Sequence, residues 1–221
     1  MNISKEKKPL IIIGAGGQAA NIANIALDSG IIVNSFIDEI SSRKDYLGVK
    51  VYNSFDHIKD YKEYNFAIGV GENFQRQQLY IKLSKTYSSL NFPVIKHPSA
   101  VISSFSNLGE GSILMPNTIV GANARVGSFC ILGNQACIGH DSEMSNFSSL
   151  GPGSITGGTV SIGERVAIGI NASIKEGIKV EEGTVLGASS YLDKNLPKNI
   201  IAYGTPAIKI RDREKDEHLY L

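Results

Sequence analysis

The residue types best suited to chemistry in this sequence are a histidine and the aspartate that follows it. Of the four histidines, only His140 lies in a region with a regular repeat, and Asp141 is its neighbour. Imidazole titrates near neutral pH, which suits a general base, and a carboxylate beside it can orient the ring. A solvent-exposed histidine in a turn is the alternative reading. We expect His140 to act as a general base, with Asp141 as its partner.

A glycine loop is the second feature with chemical meaning. Residues 14–19 read Gly-Ala-Gly-Gly-Gln-Ala, which fits G-x-G-x-x-A between an apolar strand and a helix, and Asp38 follows about one strand later. Alone, this pattern predicts a nicotinamide dinucleotide site. However, the chain before the repeat has room for only one of the two halves that a dinucleotide usually occupies. A tight strand–helix turn without a ligand is the remaining alternative.

Cysteine and metal chemistry are disfavoured. Cys130 occupies a packing position of the repeat, and Cys137 has no adjacent base, so a cysteine nucleophile is not expected. A zinc site built from three histidines needs more than the one histidine that the repeat contains. The sequence therefore predicts a reaction without a covalent cysteine intermediate and without a metal.

The segment that carries the glycine loop alternates strands and helices. Apolar runs bounded by glycine predict buried parallel strands, and apolar residues at helical spacing predict helices between them. Strands are expected at 10–13, 31–37, 66–70 and 92–95, and helices at 18–29 and 75–88. Together they predict a small parallel sheet flanked by helices.

The segment that carries His140 is a hexapeptide repeat. Counting in sixes from Ile102 to Leu186 gives 15 positions, of which 14 are aliphatic or Met, and glycine follows directly at ten of them. A small or β-branched residue tends to lie four places after the aliphatic one. Three such units close a triangular coil, so the pattern predicts a parallel β-helix with the aliphatic residues inside and glycine at the corners. Five coils would stack to roughly 24 Å. Ordinary strands of a β-sandwich would not hold this phase.

Composition agrees with a globular chain and excludes several partners. The 221 residues are 42% hydrophobic, with a net charge of +1, 23 glycines and no tryptophan. The near-neutral charge predicts no nucleic-acid or membrane partner, and no apolar stretch approaches the roughly 20 residues of a membrane span. Two cysteines favour a reducing compartment, so we expect a cytoplasmic protein.

The order of five short motifs resembles one family over nearly the whole chain. The motifs lie at 14–18 (GAGGQ), 36–39 (FIDE), 97–100 (HPSA), 139–141 (GHD) and 204–207 (GTPA). This arrangement resembles the sialic-acid O-acetyltransferases and nucleotide-amino-sugar N-acetyltransferases. The resemblance implies an α/β plus β fold, with a small Rossmann-like βαβ domain before a left-handed parallel β-helix. We place the first domain at 1–98, the β-helix at 99–210 and a charged, solvated tail at 211–221. The resemblance also implies a homotrimer that uses acetyl-CoA.

The same resemblance implies two binding sites. The residues expected to bind the nucleotide sugar are Gly16, Gly17, Gln18, Asp38, Glu39 and Gly71. Those expected to bind acetyl-CoA, in a cleft between two subunits, are Ser149, Gly158, Ile170 and Ala188. Many members have a histidine where this chain has Ser149.

The activity implied is acetyl-CoA-dependent N-acetylation of a nucleotide-linked amino sugar in bacterial surface glycan biosynthesis, with His140 as general base. A UDP-linked 4-amino-4,6-dideoxy sugar is the expected substrate. The first alternative is O-acetylation of sialic acid or a related nonulosonate. The second is a non-catalytic β-helix protein that binds nucleotide sugars.

Overall fold

The computed structural model describes residues 8–87 and 90–217. Its first part is a five-stranded sheet with order β3-β4-β2-β1-β5, in which only β3 runs antiparallel to its neighbour. The elements are β1 (Leu10–Ile13), α1 (Gly17–Asp28), β2 (Val33–Ile37), β3 (Asp45–Tyr46), β4 (Val49–Tyr52), 3₁₀ turns at Phe55–His57 and Tyr61–Glu63, β5 (Asn65–Ile68) and α2 (Asn73–Thr86).

Burial explains why β1 and α1 form where they do. Every residue of β1 is buried, as a central parallel strand covered on both faces requires. Helix α1 buries Ala19, Ile22, Ile25 and Ala26, which recur at helical spacing on one face. The glycine loop between these elements lies at the carboxyl end of β1, where open α/β sheets bind ligands.

The second part is a β-helix of short strands on three sheets, and all but its last two strands are two residues long. The first sheet contains β7 (Val101–Ile102), β10 (Ile119–Val120), β13 (Cys137–Ile138), β16 (Ile155–Thr156), β19 (Ser173–Ile174) and β22 (Tyr191–Leu192). The second contains β8 (Asn107–Leu108), β11 (Arg125–Val126), β14 (Glu143–Met144), β17 (Ser161–Ile162) and β20 (Lys179–Val180). The third contains β6 (Ile95–Lys96), β9 (Ile113–Leu114), β12 (Ile131–Leu132), β15 (Ser149–Leu150), β18 (Ala167–Ile168), β21 (Val185–Leu186), β23 (Ile200–Gly204) and β24 (Ala207–Asp212).

The coil core follows the predicted repeat. The second residue of each two-residue strand from β7 to β22 points inward, and Leu114, Leu132 and Leu150 stack in register with at most 1% exposure. The small residues that lie four places after the inward ones, such as Ala124 and Ala136, are also buried. The predicted α/β plus left-handed β-helix class is confirmed.

The role of the repeat glycines is different from the one predicted. The left-handed backbone conformation falls three residues after each inward residue from Leu108 to Leu186, and most residues there are not glycine. The glycine directly after the inward residue is needed because the next coil lies against it. At Gly121, for example, an added Cβ would lie 2.7 Å from the backbone nitrogen of His140. Close approach, rather than a positive φ, selects these glycines.

The N-terminal domain packs against the outer face of the third sheet. Ile113 and Ile131 point outward from that sheet and join the cluster formed by α1 and β1. Phe129 and Phe147, at the corner between the second and third sheets, stack with a centroid distance of 5.4 Å and lie among the aromatic residues of the N-terminal domain. These rings lie outside the coil and join the two parts.

Several predicted elements differ from the structure. The strand predicted at 92–95 is wrong, because only Ile95–Lys96 forms a strand, and it pairs with β9 of the β-helix rather than with the N-terminal sheet. The second and third predicted strands shorten to Val33–Ile37 and Asn65–Ile68, and β3 and β4 were not predicted. Helix α2 spans Asn73–Thr86, and Ser88, the predicted end, lies outside the described residues.

The charged C-terminal segment is partly built into the fold. Arg211 and Asp212 end β24, and Arg213 is 7% exposed, with its guanidinium donating to the carbonyl oxygen of Gly183. The expectation of a solvated tail is therefore wrong for Arg213. Residues 1–7, 88–89 and 218–221 of the predicted domains lie outside the described residues, and the two boundaries between the three segments stay predictions. None of the helices in the described part of the chain is long and apolar enough to cross a membrane.

Candidate active site

His140 lies at the corner between the first and second sheets, directly after β13. Its Nδ1 is 2.7 Å from Oδ2 of Asp141, and the two side chains are 61% and 47% exposed. A neutral ring that donates its Nδ1 hydrogen to this carboxylate presents Nε2 as the acceptor for a proton. The arrangement is what a general base at the surface of one chain requires.

Asn123 is a part of this corner that sequence reasoning missed. Its Nδ2 donates to Oδ1 of Asp141 at 2.7 Å, from the equivalent corner one coil earlier. This hydrogen bond and the one from His140 hold the pKa of Asp141 below its ordinary value of 3.8. The signal was the spacing, since 18 residues separate neighbouring coils and Asn123 stands 18 before Asp141.

Gly158, which was expected to bind acetyl-CoA, lies beneath the His140 ring. It is buried, and an added Cβ there would collide with Cε1 and Nε2 of the imidazole. The structure thus puts Gly158 in the His140 corner, apart from the other three residues of the predicted acetyl-CoA set. Its missing side chain lets the ring lie against the coil.

A pocket of about 510 Å³ lies between the N-terminal domain and the corner after the third sheet. It is within the size range of small-molecule sites. Its lining brings together predicted residues of both sets, with an apolar wall from the outer face of the third sheet. The predicted residues in the lining are Gln18, Gly71, Ser149, Ile170 and Ala188, and the apolar wall includes Ile131, Ala167 and Val185.

The remaining predicted substrate residues surround the glycine loop. Gly16 and Gly17 are exposed at the start of α1. The carboxylate of Asp38 accepts hydrogen bonds from the backbone nitrogens of Ala15, at 2.8 Å, and of two residues that follow it. Asp38 therefore holds the loop in place. Glu39 forms an exposed ion pair with Lys82 at 2.6 Å and is not in the pocket lining.

Arg43 and Tyr46 also contact the glycine loop and were not predicted. The Arg43 guanidinium donates to the carbonyl oxygen of Ala15 at 2.5 Å and lies 4.7 Å from the centre of the Tyr46 ring. The Tyr46 hydroxyl donates to the carbonyl oxygen of Gly16 at 3.3 Å. Arg43 lies in the irregular connection after β2, and Tyr46 ends the two-residue strand β3, so no periodic pattern marks either residue.

His140 and the pocket lie at different corners of the same chain. The pocket corner leads from the third sheet into the first, and the His140 corner leads from the first sheet into the second. The width of the first sheet therefore separates the candidate base from the pocket that contains most of the predicted binding residues.

The two cysteine thiols are poor candidates for a nucleophile. Burial raises the pKa of the Cys130 thiol and also that of the less buried Cys137 thiol. A raised pKa disfavours the thiolate that a nucleophile requires. Within residues 8–87 and 90–217, no group of three His, Cys, Asp or Glu side chains is placed to hold a metal ion.

Comparisons with known proteins agree with this geometry. Residues 9–83 match the PglD N-terminal domain family. A variant of perosamine N-acetyltransferase from Caulobacter crescentus, crystallised with CoA and GDP-perosamine, superposes with a TM-score of 0.85 at 28% identity, over 92% of this chain and 97% of that one. The acetyltransferase domain of PglB from Neisseria gonorrhoeae, in complex with acetyl coenzyme A, gives 0.86 at 25% identity, over 92% and 100%.

Curated relatives match shorter stretches of the chain. Galactoside O-acetyltransferase from Escherichia coli is 36% identical over 62 residues, which are 28% of this chain and 30% of that protein. Chloramphenicol acetyltransferase from Morganella morganii is 39% identical over 64 residues, 29% and 30% respectively. The chain thus spans about a third of the length of the curated relatives that it matches.

These likenesses define the class of protein that the chain resembles: hexapeptide-repeat acetyltransferases of left-handed β-helix fold with an N-terminal domain. The resemblance predicted from the sequence, to the sialic-acid O-acetyltransferases and nucleotide-amino-sugar N-acetyltransferases, is confirmed.

Proposed function

We propose that this protein is an acetyl-CoA-dependent N-acetyltransferase that acts on a nucleotide-linked amino sugar in bacterial surface glycan biosynthesis. The observation that carries the proposal is the pocket, which joins the start of α1 to the outer face of the third sheet. One end is formed by Gln18 and Asn21 of α1 together with Gly71 in the loop after β5, and the other by an apolar wall. Full-length structural likeness to an enzyme crystallised with CoA and GDP-perosamine supports it.

The two ends of the pocket suit two different ligands. Next to the Gln18 end of the pocket, the exposed backbone at Gly16 and Gly17 and the positive end of helix α1 suit the phosphates of a nucleotide sugar. The apolar wall at Ala167 and Val185, next to Ile170, suits the extended thiol arm of acetyl-CoA. When bound, acetyl-CoA supplies an activated thioester carbonyl to the amine.

The chain's own contribution to the chemistry is proton transfer at His140. Its Nε2 accepts the proton of the attacking amine, while Asp141 holds Nδ1 and stabilises the imidazolium that forms. Asp141 remains ionised during this step because its pKa is lowered. No covalent enzyme intermediate is required.

The separation of His140 from the pocket supports a homotrimer as the working form. A threefold arrangement of parallel β-helices would place the His140 corner of one copy against the pocket corner of the next. Each site would then take its binding pocket from one copy and its base from another. The cytoplasmic location, like the trimer, stays a prediction.

The substrate is expected to carry a 4-amino-4,6-dideoxy sugar on UDP, with GDP and dTDP as the alternatives to test. Release of free thiol from acetyl-CoA should be measured with each nucleotide sugar, and with sialic acid as acceptor. Turnover with a nucleotide-linked amine supports the proposal. Turnover with sialic acid alone would replace it with the O-acetyltransferase, and binding of nucleotide sugar without thiol release would favour a non-catalytic protein.

A further inference from the structure

A buried chain of hydrogen bonds connects α2 to the pocket. We propose that Asn73, oriented by Arg76, is a positioning residue that makes the Ser149 hydroxyl a hydrogen-bond donor to the carbonyl oxygen of the bound acyl group. The inference rests on the proposed function, because it assigns a role within the same pocket. Asn73 and Arg76 are each 1% exposed, and both lie in the first turn of α2.

Arg76 determines which way the Asn73 amide faces. A guanidinium has only donors, and Nη2 of Arg76 lies 2.7 Å from Oδ1 of Asn73. The same guanidinium donates to the carbonyl oxygen of Gly71 at 2.8 Å and to that of Phe129 at 2.8 Å. It is therefore held on both sides, by the loop after β5 and by the β-helix, and its donors cannot turn away from Asn73.

The other end of the amide must consequently be the donor. Nδ2 of Asn73 faces the carbonyl oxygens of Val166, at 3.0 Å, and Arg165, at 3.3 Å, and Oγ of Ser149 at 3.2 Å. The opposite orientation would bring the amide oxygen against two carbonyl oxygens and the NH₂ group against the guanidinium. Hydrogen-bond chemistry therefore fixes Asn73 as donor and Ser149 as acceptor.

Ser149 is left with its own hydrogen to donate. It lies in the outward row of the third sheet between Ile131 and Ala167, and all three line the pocket. No acceptor for its hydroxyl hydrogen is found among residues 8–87 and 90–217. A carbonyl oxygen is acceptor-only, so it is the group on an acyl thioester that complements this hydroxyl.

The bond would strengthen as the reaction proceeds. When the amine nitrogen attacks the thioester carbon, the π electrons of the C=O bond move to oxygen, and the Ser149 hydroxyl stabilises that negative charge without giving up its proton. The amine proton goes to His140 of the neighbouring copy. The C=O bond then re-forms as the C–S bond breaks, and CoA leaves as the thiolate.

The first test separates the hydroxyl from the shape of Ser149. S149A should lower kcat by about tenfold or more, since a single donor to such an oxygen contributes strongly to the rate. S149T, which restores a hydroxyl in a strand position, should recover most of that loss. S161A is the matched control, because Ser161 holds the same repeat position in β17 of the second sheet, and its kcat should be unchanged.

The second test reverses the direction of the hydrogen bond. In N73D the carboxylate accepts from Ser149, so the hydroxyl hydrogen turns away from the pocket, and kcat should fall as it does in S149A. Combined with S149A, N73D should lower kcat no further. Independent, multiplicative losses in the double variant would indicate a purely structural role and overturn the inference, as would full kcat in S149A.

The unaltered protein decides which proposal fails. Turnover by it, with S149A equally active, overturns the inference and leaves the proposed function standing. Absence of turnover with every nucleotide-linked amine overturns both. The S149A and S149T pair decides the question if N73D does not fold, because neither substitution touches the buried bonds of Asn73 to the backbone.

Discussion

The His140 corner and the pocket corner are built in opposite ways. His140 depends on residues that the repeat itself supplies: its sequence neighbour Asp141, and Asn123 and Gly158 one coil away on either side. The pocket instead depends on contacts between residues 76 to 93 positions apart, through which Asn73 reaches the third sheet. A regular repeat can present a reactive side chain, but a second domain is needed to enclose its substrate.

The largest expected effect concerns the base. H140A should lower kcat at least about 100-fold, because it removes the group that accepts the amine proton. Affinity for acetyl-CoA, measured by calorimetry, should stay near that of the unaltered protein, since His140 lies outside the pocket lining. H57A, on an exposed turn of the N-terminal domain, is the control. Near-normal turnover by H140A would contradict the assignment of His140 as the general base.

The next largest effect should be a loss of stability when the buried guanidinium on the pocket side is removed. R76M leaves the carbonyl oxygens of Gly71 and Phe129 without their buried donor and should lower the free energy of unfolding by about 3 kcal/mol. R125M, on the exposed face of β11, is the matched control and should change it little. Denaturant titration measures both. Equal stability of the two variants would mean that the buried guanidinium does not join the domains.

A smaller effect on kcat is expected from substitution of Gly158, which lies beneath the His140 ring. G158A adds a methyl group where the His140 imidazole lies, so the ring must move and kcat should fall by about tenfold. On the H140A background the same substitution should have no further effect on kcat. An additional loss there would show that Gly158 acts on acetyl-CoA, as the sequence predicted, rather than through the ring.

The smallest expected effect is on the ionisation of Asp141. Its folded pKa is lowered, so the stabilisation from its charged form is complete above the ordinary value of 3.8 and is lost as the pH falls through the folded value. N123A removes the hydrogen bond from Asn123, the larger cause of the lowered pKa, and should therefore raise the pKa of Asp141. N117A is the control, because Asn117 lies at a different corner, between the third and first sheets. Carbon NMR of the carboxyl group measures it. An unchanged titration would contradict the role of Asn123.

Much of the fold could be predicted because it repeats. Each inward aliphatic residue from Leu114 to Leu186 is buried in the coil in the same way. Every further repeat in the sequence therefore supports the same prediction. The predicted strand at 92–95 failed because nothing local distinguishes a strand that joins the β-helix from one that joins the preceding sheet. Phe129 and Phe147 join the two domains through an outer surface that the repeat does not describe, so the sequence pattern could not predict this role.

The candidate site, too, could be predicted only where its residues belong to the repeat. His140 and Asp141 were predicted as a pair because they are adjacent, and the structure places them 2.7 Å apart. Arg76 and Asn73 were not predicted, since in the sequence they are polar residues of an ordinary helix. Their partners become visible only when α2 packs against the β-helix.

The central claim is that each site takes its base from one copy and its pocket from another. Mixing tests it: H140A has a sound pocket, and A188W, which fills the pocket from an exposed position, keeps a sound His140 corner. Each variant alone should be nearly inactive. Equal amounts, unfolded and refolded together, should regain about one quarter of the unaltered activity by random assortment of copies around a ring. A mixture no more active than its parts would contradict the claim and place base and pocket in one chain.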